Sequence, residues 1–134
     1  MVVREERYGL IDTSGRYIIP PYYDDIDFDQ TSNVLIVTNE GLSGLFSREG
    51  ESITGLIYDQ IINTSDDLFM VKLRKRYGYI RRDGSVVVEP VYEDAIGFSN
   101  GIGRVVLRGR AYLIDTDGNS VAEVIEKIPE PEIL

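Results

Sequence analysis

The sequence predicts an all-β tandem repeat of about four three-stranded antiparallel meanders, stacked as a ring or a solenoid, and three observations carry that prediction. First, glycines fall at Gly15, Gly50, Gly84 and Gly118, spaced by 35, 34 and 34 residues, within YGLIDTSGR, SGLFSREGE, YGYIRRDGS and AYLIDTDGN. A fixed period of this size marks a repeat architecture. Second, two further landmarks keep phase with the first three glycines: Tyr23, Tyr58 and Tyr92, each followed by an acid, and Ile36, Val71 and Val105, each inside an apolar run. Third, the apolar residues come in short runs such as RYIIP and SVVVEP, punctuated by Asp, Ser, Asn and Gly, as strands and turns require. No stretch repeats apolar residues at helical spacing for the roughly 11 residues a helix needs.

Each period resolves into a leading apolar strand, a middle strand of the YGLI type and a trailing strand after the glycine. The leading and middle strands meet at a short, often charged turn, as at Arg74 to Arg76. The middle and trailing strands meet at TSG, REG, RDG or TDG, where Gly supplies the positive φ of a tight hairpin. The units fall at residues 1–20, 34–57, 69–91 and 103–126, joined by three connectors into one domain of residues 1–128. MVVREERYG aligns with MVKLRKRYG from Met70, so the chain is expected to start on a leading strand and to hold four whole units. Residues 129–134, with two prolines and alternating acids in IPEPEIL, read as an extended acidic tail. A chain of 134 residues and 15.1 kDa with 43% apolar residues suits a single domain with its own core.

The third unit, RYGYIRRDGSVVVEPVYEDAIGFSNGIGRVVL, resembles the bacterial WG repeat family in its order of aromatic-Gly-apolar-Ile, turn Gly, Pro, Tyr-acid-acid, Phe-Ser-Asn-Gly and apolar strand. The resemblance extends over nearly the whole chain. The Trp that names the family is replaced by Tyr8, Ser43, Tyr77 and Ala111, and the following Gly is kept as Gly9, Gly44 and Gly78 but is Tyr112 in the last unit. Gly55 and Leu56 stand where the other units have Pro20, Pro21 and Pro90, so the second and fourth units are divergent. The resemblance implies an interaction scaffold without a shared activity. By analogy, a short, intracellular, acidic member beside a secreted bacterial toxin would suit an immunity role.

Composition narrows the chemistry. There are no Cys and no His, which excludes thiol nucleophiles, Ser-His-Asp triads, His general bases, Cys/His zinc sites and disulfides. The expectation is a non-enzyme with no cofactor. No apolar run approaches the roughly 20 residues of a membrane span, and MVVREERYG lacks the apolar core of a signal peptide, so a cytoplasmic protein without a membrane partner is expected. With 14 basic against 23 acidic residues the net charge is -9, which points to a basic protein as partner rather than to nucleic acid.

Charge is uneven along the chain. Residues 1–71 hold 4 basic and 13 acidic residues, residues 72–110 hold 9 and 4, and residues 111–134 hold 1 and 6. The connector from Asp24 to Asn33 carries the densest acidic cluster. If Asp25 to Asp29 is extended, Ile26 and Phe28 face the core while Asp25, Asp27 and Asp29 face solvent about 7 Å apart. That spacing suits a partner-binding acidic face and does not bring three carboxylates to one calcium ion, whose oxygens stand at about 2.4 Å. DTDGN at Asp115 to Asn119 has calcium-loop acids, but the other units keep its Gly and drop the acids, so it reads as a hairpin turn. Arg74, Arg76, Arg108 and Arg110 occupy equivalent positions in successive units and form an alternative basic edge, either gripping carboxylates or phosphates or pairing internally. Tyr17, Tyr22 and Tyr79 lie off the fixed repeat positions and are candidate aromatic contacts. Two other readings stand beside the inhibitor: a generic scaffold, and a divalent-metal-binding protein or carboxylate-based enzyme using the Asp25 to Asp29 connector.

Overall fold

The computed structural model describes residues 6–29, 33–64 and 67–125. Within them are 13 strands and no helix, arranged as four antiparallel sheets in chain order. The first sheet pairs β1 (Tyr8–Ile11) with β2 (Tyr17–Tyr23). The second is β3 (Asp25–Asp29), β4 (Val34–Asn39) and β5 (Leu42–Phe46). The third runs β6 (Gln60–Asn63), β7 (Leu68–Leu73), β8 (Arg76–Arg81), β9 (Val86–Tyr92). The fourth repeats it with β10 (Asp94–Ser99), β11 (Ile102–Leu107), β12 (Arg110–Ile114) and β13 (Ser120–Val124).

The expected three-stranded meander therefore gains a strand. The segments taken for connectors, 25–29, 60–63 and 94–99, each pair with the following leading strand and open the next sheet. Only one or two side chains per segment enter the core, Ile26, Ile61, and Ala95 with Phe98, so none of the three carries the apolar run that marks the other strands. Phe28, expected to face the core, is 50% exposed.

Three apolar clusters lie between successive sheets. Ile19, Leu35, Val37 and Phe46 join the first to the second, and Val34, Leu45, Tyr58, Ile61, Phe69, Val71 and Ile80 join the second to the third. Leu68, Met70, Tyr79, Val88, Phe98, Val105 and Ile114 join the third to the fourth. This explains the continuous apolar runs of the middle units. In β7, Phe69 and Val71 point to one neighbour while Leu68 and Met70 point to the other, so a period of two buries all four of these residues. Burying a side chain of this size stabilises by about 1.5–3 kcal/mol.

The glycine after the aromatic position has a steric cause. Tyr77 pairs with Tyr92 and Tyr79 with Val88, so β9 carries two extra residues opposite Gly78. A Cβ on Gly78 would run into the Val88 carbonyl and stand 2.7 Å from Pro90 N. Pro90 fits the bulge because no ladder donor is needed there. In the fourth sheet Tyr112 pairs regularly with Glu123 and Ala111 with Val124, so Gly and Pro are lost together along with the bulge. In the second unit Gly55 sits against Gly44 and the trailing strand dissolves into two bridges, Ser43 to Tyr58 and Phe46 to Ser52.

The leading and middle strands close through two-residue turns of positive φ: Glu40 and Gly41, Arg74 and Lys75, Arg108 and Gly109. Of these three turns, only that of the third unit places a side-chain-bearing residue at the second position, Lys75 at φ 69. Lys75→Gly is expected to raise stability by about 1 kcal/mol in urea denaturation, since an L-residue is held left-handed there at a cost.

Candidate functional site

The acid after each repeated tyrosine has a structural role that spacing alone did not reveal. Asp24 Oδ2 accepts the Glu40 amide at 2.7 Å, Asp59 Oδ2 the Arg74 amide at 2.8 Å and Glu93 Oε1 the Gly109 amide at 3.3 Å. Each carboxylate thus holds the two-residue turn of the following sheet. Arg7 Nη1 donates to Asp24 Oδ1 and to Asn39 Oδ1, both at 3.0 Å, and Arg76 stands 3.7 Å from Glu93, its equivalent acid. The signal was the joint recurrence of Tyr-acid with Arg at the start of the middle strand.

Among the partner-binding candidates, Asp25, Asp27 and Asp29 share one face of β3, opposite Thr38, Ile36 and Val34 in register. Asp25 and Asp27 are exposed, and their side chains make no hydrogen bond or ion pair among the described residues. Asp29 is half-buried and accepts from Asn63 Nδ2 of β6 at 2.8 Å, which ties the row to the third sheet. No group of three or more carboxylates among the described residues is placed to hold a metal ion. The hairpin acids are engaged instead with their own turns. The Ser14 hydroxyl and the turn amides hold the Asp12 carboxyl below its ordinary pKa, the Ser85 hydroxyl and amide do so for Asp83, and the Asn119 amide foremost does so for Asp115. Asp115 Oδ1 accepts the amides of Asp117 and Asn119 at 3.0 and 2.9 Å, the work of a turn residue.

The four arginines lie at or beside the two-residue turns of the third and fourth sheets, Arg74 and Arg108 within them and Arg76 and Arg110 just after. Arg76 pairs with Glu93 and Arg110 with Glu123, each at 3.7 Å and each exposed enough to contribute only about 0–1 kcal/mol. Half of this edge is engaged internally.

The tyrosines divide. Tyr17 and Tyr22 are 64% and 66% exposed. Tyr79 is not a surface residue: it is fully buried, stacks edge-on against Phe98 at 4.8 Å and donates its hydroxyl to the Ile96 carbonyl at 2.8 Å. Burial, helped by Tyr92 and Asp94, pushes its pKa far above the ordinary tyrosine value. It occupies the repeat position of Leu45 and Leu113, so it is the core residue of its unit after all. Tyr58 is likewise buried at a sheet junction.

Repeated antiparallel sheets, joined pairwise by shared cores and stapled by the Tyr-acid motif, define a tandem β-repeat protein. The chain belongs to the family described as WG containing repeat, whose model matches residues 8–42 and 77–110, just over half of it. Besides residues 1–7, the unmatched stretches begin at residues 43 and 111, in the second and fourth middle strands, where Gly-Pro pairing is lost. No curated protein matches the chain with significance. No helix among the described residues is long and apolar enough to cross a membrane.

Proposed function

We propose that the chain is a non-catalytic binding domain that engages a basic protein through the acidic edge of its second sheet. In its finest form the reading is an immunity-type inhibitor that covers a basic bacterial toxin, such as a nuclease whose active site must be positive to hold nucleic acid. One observation carries the choice of surface: β3 is an edge strand whose Asp25 and Asp27 project into solvent without internal partners, within a half of the chain that is net -9. The arginine edge supports the opposite reading less well, because Arg76 and Arg110 already face Glu93 and Glu123. Exposed Tyr22, three residues before Asp25, adds large contact area at low entropic cost.

The test is a triple change of Asp25, Asp27 and Asp29 to Asn, measured against a co-purified basic partner. Loss of the acidic field is expected to slow association about 10-fold at low salt, with the difference vanishing toward physiological ionic strength. The Arg74→Gln and Arg108→Gln pair is expected to leave that rate unchanged. Should the arginine pair abolish binding while the aspartate triple leaves rate and salt dependence intact, the basic edge is the site and the acidic reading fails.

A further inference from the structure

The contact that joins one unit to the next is left half-made at each end of the described fold, and the two halves are complementary. Inside the chain, the turn glycine of each later unit sits on the trailing segment of the unit before. Gly50 lies against Ile18, a Cβ on Gly84 would stand 2.9 Å from Ile53 Cγ2, and one on Gly118 2.9 Å from Val88 Cγ2 and 3.0 Å from the Val87 carbonyl. Gly15 has the same backbone, φ 91 against 93 at Gly50, yet nothing lies within 4 Å of its Cβ position. At the other end, Val121 holds the repeat position of Ile18, Ile53 and Val87 and is 54% exposed.

The flanking residues repeat this. Ile11 holds the position of Phe46, Ile80 and Ile114, which are 8%, 0% and 0% exposed, but is itself 55% exposed, with Tyr17 opposite it in register. Ile102 holds the position of Val34 and Leu68, which are 6% and 1% exposed, but is 38% exposed. The first sheet thus presents the face that later sheets press onto their predecessors, and the fourth presents the face that earlier sheets offer to their successors.

We infer that these faces meet between copies: the outer face of the fourth sheet of one copy receives the Gly15 turn and Ile11 of a second copy, continuing the unit-to-unit packing across a head-to-tail joint. Such a contact is heterologous, using different patches on the two partners, so it propagates rather than closing at a symmetric dimer. Arg104 takes the place of Ile36 and Met70 on the receiving face, which makes the joint weaker than the internal ones.

The experiment measures the mass of the full chain by sedimentation at low salt, from about 10 μM to about 1 mM, where a weak contact of this class becomes populated. The mass is expected to rise steadily above 15.1 kDa. Ile11→Lys and Val121→Lys change residues that are more than half exposed, so each variant keeps its melting temperature and each alone stays monomeric, one with no working head and the other with no working tail. An equimolar mixture retains one working joint and is expected to stop at a 1:1 dimer. The inference is overturned by a wild type that stays monomeric throughout, by variants that associate as the wild type does, or by association that appears only once residues 126–134 are removed, which would make that segment the occupant of the fourth-sheet face.

Discussion

Replacing Gly50 with alanine is expected to destabilise the protein by about 3 kcal/mol or more, while the same change at Gly15 costs about 1 kcal/mol. Both glycines close a three-residue hairpin loop, with φ 93 and 91, so the price of forcing a Cβ into left-handed backbone is the same at both. What differs is the neighbour. The new methyl at position 50 would collide with the Ile18 carbonyl of β2, a backbone atom that cannot swing aside, whereas at position 15 it meets open space. The difference between the two variants therefore reads out the packing of the second unit on the first, free of the turn itself. Denaturant melts of both variants measure it. Equal small losses would mean that the first sheet is not seated on the second, and the sheet-to-sheet cores would have to be abandoned as the organising contact.

The repeat and its strand chemistry were legible because they rest on local signals. Period, turn glycines and short apolar runs each follow from backbone geometry that a few neighbouring residues decide, and the four hairpin glycines have φ between 88 and 93. The opening strands of the second, third and fourth sheets were hidden for the converse reason. Asp25–Asp29 alternates acids with apolar residues at an edge, and its pairing with Val34–Asn39 is fixed by the sheet it joins rather than by its own composition. Tyr79 was misplaced because an aromatic stands where its sister units have Leu45 and Leu113; its hydroxyl looked like a surface handle until Ile96 supplied a buried acceptor. The Tyr-acid pairs were visible as a pattern, but their target is a turn amide about 15 residues away, and no sequence period says what a carboxylate will reach.

Ending the chain after Glu93 is expected to abolish the monomeric fold, whereas ending it after Ile125, which keeps every described strand, should leave the melting temperature within about 2 °C. The shorter chain keeps the third sheet but loses the whole fourth, and with it the cover over Leu68, Met70, Tyr79 and Val88, all under 10% exposed in the intact protein. Returning those four side chains to water costs about 1.5–3 kcal/mol each, a sum comparable to the 5–15 kcal/mol by which a typical domain is stable at all. Tyr79 adds to the loss, because its hydroxyl would give up Ile96 and its ring would give up Phe98. The cut must precede Asp94 to be clean. A chain ending at residue 102 would keep β10 without the strand it pairs with, leaving Phe98 on Tyr79 and masking part of the effect. Size-exclusion and thermal melts of the two chains decide the matter: the chain ending at Glu93 should elute as aggregate or melt far below the intact protein. A monomeric chain of unchanged melting temperature would show that the third cluster contributes nothing to the stability of the sheets before it, and that the units fold independently.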